Sequence, residues 1–117
     1  FGLRRLAGIE FLCGDAAVAV PSLTRVGRRF DFVMEDATYS DEADRSLRLA
    51  EALVPLVAPG GSLVLNRHRR RDAKALGAAL RSRFREVRLQ RVRQEAENVL
   101  VCGAGPVRRR GGRRDSV

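Results

Sequence analysis

The chain is 117 residues long, which suits one domain, and 44% of these residues are apolar, enough to fill a core. No apolar run approaches the roughly 18–20 residues of a membrane-spanning helix, so no membrane span is expected. The formal net charge of +9 comes from 22 Arg and one Lys against 14 acidic residues. Background coding bias is an alternative explanation for so strong a preference for Arg over Lys, so the charge alone does not identify an anionic partner.

The two cysteines and the N-terminus suggest where the protein works. Cys13 and Cys102 are too few and too far apart for a metal cluster, and both lie in apolar segments, which favours buried, reduced thiols over a disulfide. Reduced thiols fit a cytoplasmic protein. The N-terminus does not resemble a signal peptide, and the first residue is Phe rather than Met, which favours a fragment of a longer chain.

The first part of the chain predicts a strand followed by a capped helix. Residues 9–13 (IEFLC) are rich in β-favouring apolar side chains, and Gly14 ends the run. Asp15 is a typical N-cap for a short helix over residues 16–23, in which Pro21 kinks or restarts the helix.

Residues 30–35 (FDFVME) predict a second strand, which delivers acidic side chains at its carboxyl end. Glu35 and Asp36 point to opposite faces if the strand continues, because side chains alternate along it. Open α/β sheets place ligand chemistry at the carboxyl ends of their strands, which favours a functional Asp36. The alternative is that Asp36 only caps the following turn or helix.

The middle of the chain predicts a long amphipathic helix, a turn and a buried strand. Apolar side chains recur every three or four positions in residues 40–57, on one helical face, at Ala43, Leu47, Ala50, Val54 and Val57. Pro55 should shorten the last turn of this helix. The Pro-Gly-Gly sequence at residues 59–61 predicts a tight turn before a strand over residues 62–66 (SLVLN).

The last part of the chain predicts a solvated basic loop, a second amphipathic helix and two strands, at residues 67–71 (RHRRR), 72–84, 86–92 and 98–102. Residues 104–117 hold few apolar side chains and are expected to be disordered. Alternating strands and helices imply a mainly parallel sheet, and the short link between the last two strands makes them an antiparallel pair.

Three motifs, in this order, resemble class I S-adenosylmethionine-dependent methyltransferases. They are residues 9–16 (IEFLCGDA), residues 30–40 (FDFVMEDATYS) and residues 56–66 (LVAPGGSLVLN). The family has a strand that ends in Gly-Asp-Ala, a strand of the type Phe-Asp-hydrophobic-Asp-Ala at its reaction face, and a Pro-Gly-Gly turn before the next strand. The resemblance covers residues 1–103 and rests on the order and spacing of the three motifs together.

The resemblance implies an α/β, Rossmann-like fold with a mainly parallel sheet and an antiparallel C-terminal strand pair, truncated at the N-terminus. Residues 1–103 would be part of the methyltransferase domain and residues 104–117 an Arg/Gly-rich tail. The expected core sheet contains the strands at residues 30–35, 62–66, 98–102 and 86–92, and the place of residues 9–13 is left open.

One family feature has no counterpart in this sequence. No Gly-x-Gly-x-Gly occurs in residues 1–23, although the family's glycine-rich loop brings the backbone close to the cofactor. The chain would therefore supply only part of a cofactor site, and the fragment alone is expected to be inactive.

The cofactor that the resemblance implies is S-adenosylmethionine, and four residues match positions beside it in the family. Gly14, Asp15 and Ala16 match the motif at the adenine, where a carboxylate accepts a hydrogen bond from the exocyclic amine; the alternative for Asp15 is a helix cap. Asp36 matches the acid near the transferred methyl group, the acceptor or a metal. Asp36 is therefore the predicted catalytic residue and also a predicted cofactor contact.

Three further residues match positions near the methyl acceptor. Tyr39 lies where enzymes that methylate nucleic-acid bases have Pro-Pro-Tyr or Pro-Pro-Phe; the missing prolines disfavour that reaction, and a packing role is equally consistent. Asn66 lies where metal-dependent O-methyltransferases have an Asp-Asn pair, but Leu65 removes one oxygen ligand, so no metal is expected. His68 is either a base near the acceptor or a solvated loop residue.

The basic segments leave the partner open. The run from Arg67 to Arg71 and the arginines of residues 108–114 are candidates for contact with RNA phosphates. The alternative is an ordinary solvated or disordered charge run, because no aromatic residues are interleaved with these arginines.

Three functions remain as hypotheses. The first is methyl transfer from S-adenosylmethionine to an O, N or C atom of a small-molecule or RNA acceptor. The second is an aminopropyltransferase of the spermidine-synthase type, in which the acids Asp41, Glu42 and Asp44 would hold a polyamine or, alternatively, only favour a helix N-terminus. The third is a non-catalytic, basic RNA-binding domain of the same fold.

Overall fold

A computed structural model describes residues 8–36, 43–93 and 97–107 of the chain. One sheet of four strands packs against three helices. In chain order, the elements are α1 Ala16–Arg25, β1 Phe30–Glu35, α2 Ala43–Leu53, β2 Val57–Arg67, α3 Arg70–Leu80, β3 Phe84–Arg93 and β4 Glu97–Pro106. A short 3₁₀ turn, Val54–Leu56, joins α2 to β2. No helix in the described part of the chain is both long and apolar enough to cross a membrane.

The sheet has the strand order β1-β2-β4-β3. β1 pairs in parallel with β2, whereas β4 pairs antiparallel with both β2 and β3. This is the α/β, Rossmann-like arrangement with an antiparallel C-terminal pair that the sequence predicts, and all four predicted core strands are present. The carboxyl ends of β1, β2 and β3 consequently lie at one edge of the sheet, the carboxyl edge.

The helices cover one face of the sheet, and the core lies between them and that face. Leu63 and Leu65 of β2 and Val101 of β4 are fully buried on this face. On the opposite face of the edge strand β1, Phe32 and Met34 are 58% and 54% exposed. None of the described helices buries this second face.

The strand predicted over residues 9–13 is wrong. These residues form no strand, and Ile9, Phe11 and Leu12 are about half exposed or more. An apolar, β-favouring composition becomes a strand only when a neighbouring strand takes up its backbone hydrogen bonds, and no described strand pairs with this segment. Cys13 is exposed and Cys102 is only partly buried, so neither thiol is buried as expected.

The helix that follows is capped as the sequence predicts. The Asp15 side chain accepts a hydrogen bond from the backbone N–H of Ala17 at 2.9 Å, which satisfies one of the unpaired donors at the start of α1. Pro21 lies inside α1 without ending it, since the helix continues to Arg25 rather than to residue 23.

The later elements keep their predicted types but shift their ends. The helix expected over residues 40–57 is α2 followed by the 3₁₀ turn that contains Pro55, so proline shortens it as predicted; residues 40–42 lie outside the described residues. α3 begins earlier than predicted and ends at Leu80, because Phe84 already belongs to β3. β4 continues to Pro106, so residues 104–106 are strand rather than tail.

The Pro-Gly-Gly sequence forms a bulge inside β2 and not the predicted turn before it. Phe30 of β1 pairs with Val57 of β2, but Phe32 pairs with Ser62, so β2 holds three extra residues between these two pairs. Gly60 within the bulge has a φ of 80°, a conformation that glycine adopts without strain. The bulge resets the register so that Leu63 and Leu65 point into the core.

Gly61→Ala is expected to lower the free energy of unfolding by about 1–3 kcal/mol, the usual cost of forcing extra atoms into a packed site. An added Cβ would lie 2.7 Å from the carbonyl oxygen of Asp31 and 2.9 Å from that of Ala58, and backbone atoms cannot easily move aside. Denaturant unfolding measures the loss.

Gly77→Ala is the matched control, because its Cβ would meet Leu89 at an ordinary 3.4 Å and because alanine is favoured over glycine in a helix by about 1 kcal/mol. Gly77→Ala should be neutral or stabilising. Equal stability of the wild-type and Gly61→Ala proteins would contradict the bulge geometry.

Candidate functional site at the carboxyl edge

Two of the predicted site residues meet at the carboxyl edge of the sheet. Asp36 directly follows β1 and is exposed, and Asn66 is the penultimate residue of β2. The Asn66 Nδ2 atom donates a hydrogen bond to Asp36 Oδ1 at 2.9 Å. Because β1 and β2 are parallel neighbours, their carboxyl ends bring the two side chains together although they are 30 positions apart in sequence.

A second pair joins the same two strand ends on the face that the helices cover. The guanidinium of Arg67 binds the carboxylate of Glu35 at both oxygens, with Nη2 2.7 Å from Oε1 and Nη1 3.1 Å from Oε2. The side chains are only 8% and 7% exposed. A bidentate pair of this kind is charge-assisted and directional, and burial strengthens it.

Arg67 also reaches beyond Glu35. Its Nε donates to the hydroxyl oxygen of Ser46 in α2 at 2.9 Å, and its Nη1 donates to the backbone carbonyl of Asn66 at 2.7 Å. One guanidinium therefore ties together β1, β2 and α2, and we call this group of side chains, Glu35, Ser46 and Arg67, the clamp.

The basic-loop prediction for residues 67–71 fails at Arg67, which belongs to β2 and is buried. The signal for its burial is the strand alternation, since Leu63, Leu65 and Arg67 share one face. A buried charge needs a partner, and the acid on the buried face at the end of the neighbouring strand is Glu35, which pairs in register with Leu65, two residues before Arg67. His68, by contrast, is exposed just after β2, as a solvated residue would be.

The predicted adenine-binding residues lie in a different place. Gly14, Asp15 and Ala16 precede or begin α1, and Asp15 and Ala16 line a pocket of about 280 Å³ between α1 and α2, opposite Arg45 and Arg48. Asp36 does not line this pocket. Asp36 and Asn66 thus share a hydrogen bond, and neither of them lines the pocket that Asp15 lines.

The remaining predicted residues add little to the site. Tyr39 lies outside the described residues, as do Asp41, Glu42 and the arginines of residues 108–114. In residues 8–36, 43–93 and 97–107, no three His, Cys, Asp or Glu side chains are placed so that they could hold a metal ion.

Known proteins resemble the chain in structure but not in sequence. No family model matches it, and neither does any curated protein. Among solved structures, human methyltransferase-like protein 13 in complex with SAH superposes with a TM-score of 0.69 at 19% identity, over 90% of this chain and 53% of that one. A putative ribosomal RNA methyltransferase from Plasmodium falciparum gives 0.62 at 10% identity, over 90% of this chain and 68% of that one.

M1.HpyAVI, whose structure is known alone and as a SAM complex, gives a TM-score of 0.61 at 16% identity over 80% of this chain. The chain spans 53% of M1.HpyAVI, about half of its length. These likenesses show that the chain has the fold of S-adenosylmethionine-dependent methyltransferases.

Removing one partner of the clamp should destabilise the protein strongly. Glu35→Ala leaves the buried Arg67 guanidinium without its counter-charge, which costs about 3–5 kcal/mol in comparable buried pairs. The control is Arg69→Ala, which breaks the exposed ion pair with Asp72 and should cost no more than about 1 kcal/mol. Thermal or denaturant unfolding measures both, and similar losses for the two variants would contradict the buried geometry.

Proposed function

We propose that the protein is an S-adenosylmethionine-dependent methyltransferase that transfers a methyl group to an O, N or C atom of its acceptor. The observation that supports this most directly is the Asp36–Asn66 pair at the carboxyl ends of adjacent parallel strands, in a fold whose neighbours include SAM and SAH complexes. Ligand chemistry in open α/β sheets is placed at this edge. The two free cysteines favour a cytoplasmic location.

Asp36 would interact with the methyl acceptor, in addition to any role in stabilising the fold. Asn66 engages Oδ1 of the carboxylate, and the side chain is exposed, so Oδ2 can accept a hydrogen bond or a proton from the nucleophile. Asn66 would thereby fix the direction of the remaining lone pairs. The cofactor, when bound, supplies an electrophilic methyl group on a sulfonium.

Asp15 would hold the adenine end of the cofactor. Its Oδ1 accepts from Ala17 in the cap, which leaves the exposed Oδ2 for an exocyclic amine, and an added Cβ at Gly14 would meet nothing within 4 Å. These residues fit one end of the cofactor. Residues 1–23 contain no Gly-x-Gly-x-Gly, so the described chain supplies no counterpart of the family's glycine-rich loop for the other end.

We also propose that an RNA acceptor would contact the carboxyl edge through the arginines that follow β2. Arg67 is excluded from this surface by its burial. Arg70 and Arg71 at the start of α3 are exposed and lie on the same edge as Asp36. A pair of exposed guanidinium groups at this point is suited to phosphate oxygens.

Asp36→Asn is expected to lower the rate of methyl transfer by about 10²-fold or more, the usual contribution of a positioned general base. Its effect on SAH affinity should be small, because the asparagine keeps the shape of the side chain. The test uses the complete gene product that contains this chain, with transfer from radiolabelled SAM and SAH binding by calorimetry. No SAH binding by the folded wild-type protein would overturn the proposed function.

Asp15→Asn separates adenine binding from helix capping. Asparagine caps a helix about as well as aspartate, so the melting temperature should stay within about a degree or two of wild type. The loss of the charged acceptor should weaken SAH binding by about tenfold or more. Unchanged SAH affinity with an unchanged melting temperature would leave Asp15 with the capping role alone.

The Arg70→Ala/Arg71→Ala double variant should weaken RNA binding and flatten its dependence on salt by about one to two released counterions. The matched control is Arg81→Ala/Arg85→Ala, which removes two exposed arginines at the opposite edge of the sheet. Fluorescence anisotropy with a single-stranded RNA across a salt series measures both. Equal slopes for the two double variants would show that RNA contact is not confined to the carboxyl edge.

A further inference from the structure

The ends of β1 and β2 are joined on both faces of the sheet. Glu35 and Asp36 are consecutive in β1 and its continuation, and Asn66 and Arg67 are consecutive in β2. Strand alternation sends one residue of each couple to the helical face and the other to the open face. The Glu35–Arg67 pair is thus the reverse side of the Asp36–Asn66 pair.

The two pairs are also connected through a covalent and hydrogen-bonded path. Arg67 Nη1 donates to the backbone carbonyl of Asn66 itself, so the guanidinium restrains the peptide next to the Asn66 side chain. The same guanidinium grips the carboxylate of Glu35, one peptide unit away from Asp36. A movement of either strand end that separated Asp36 from Asn66 would therefore also disturb the buried, charge-assisted hydrogen bonds of Arg67.

We propose that Arg67 is a positioning residue: through Glu35 and the Asn66 carbonyl it holds Asp36 and Asn66 in the geometry that the acceptor requires. This inference rests on the proposed function for its catalytic consequence. Its structural part, that the clamp determines the Asp36–Asn66 hydrogen bond, stands on the contacts alone.

A purely stabilising role would not need these side chains. A buried ion pair can usually be replaced by well-packed apolar residues of similar volume with no loss of stability. What apolar residues cannot supply is direction, because only a bidentate guanidinium–carboxylate contact fixes both distance and orientation. The clamp also recruits Ser46, which sets the position of α2 against the same strand ends.

The test is therefore the paired apolar replacement Glu35→Leu/Arg67→Met, which leaves no unpaired buried charge. Its control is Asp72→Leu/Arg69→Met, which makes the corresponding changes at an exposed ion pair. Thermal unfolding of the full chain establishes that both variants fold. The decisive readout is the side-chain amide resonance of Asn66 in ¹⁵N-labelled protein, compared with and without the substitution Asp36→Asn in each background.

In wild-type protein and in the control, the substitution Asp36→Asn should shift this resonance, because it replaces the charged acceptor of the Asn66 Nδ2 hydrogen bond, and this shift is the response that reports the bond. In Glu35→Leu/Arg67→Met, the response should be reduced by at least half while the melting temperature stays near the control value. A wild-type response in this variant would overturn the proposal, because the Asp36–Asn66 bond would then be independent of the clamp.

Kinetics on the complete gene product then distinguish the positioning role of Arg67 from the proposed methyltransferase function. The paired replacement should lower kcat by about tenfold or more with KM for SAM unchanged, as misplacement of a reacting group does. If wild-type protein neither binds SAH nor transfers methyl groups, the proposed function is wrong. The Asn66 resonance still shows, in that case, whether the clamp determines the Asp36–Asn66 hydrogen bond. If transfer proceeds at the wild-type rate in a variant whose Asn66 resonance has changed, the positioning role is overturned and the methyltransferase assignment stands.

Discussion

The buried contact between Glu35 and Arg67 is the constraint on which the candidate site depends. Less than a tenth of the surface of each of these charged side chains is exposed, so each charge needs the other as its counter-charge. Two parallel hydrogen bonds join them. This requirement fixes how far β1 can slide along β2 at their carboxyl ends. Because side chains alternate, fixing Glu35 and Arg67 on the helical face also places Asp36 and Asn66 opposite each other on the open face.

At the other end of the same two strands, the bulge at residues 58–61 has the complementary role. It takes up the extra residues of β2 between the pair Phe30–Val57 and the pair Phe32–Ser62. After the bulge, Leu63 and Leu65 alternate into the core without interruption, and the next residue on that face is Arg67. A slip of one residue would expose both leucines and bury Asn66, so core packing and site geometry enforce the same register.

Much of the fold follows from patterns in the sequence, but the failures are informative. The four core strands, the antiparallel final pair and the cap at Asp15 were predictable because alternation, a short link and capping chemistry are local signals. The prediction of an extra strand at residues 9–13 is wrong because a strand needs a neighbouring strand to pair with, and local composition does not specify that neighbour. The prediction of a turn at Pro-Gly-Gly is wrong because a bulge and a turn favour the same residues, and only pairing with the neighbouring strand distinguishes them.

In the candidate site too, local patterns predict some features and the strand order is needed for others. Arg67 is, in addition, difficult to recognise from composition. The choice of Asp36 over Glu35 for the open face was available from alternation, but the meeting of Asp36 with Asn66 needs the strand order. Arg67 was hidden by composition: among 22 arginines, one more in a run of basic residues carries little information. What distinguishes it is its position two residues beyond Leu65 on a buried face. The same reasoning removes Arg67 from the exposed basic run, whereas Arg71 stays exposed at the edge that carries Asp36.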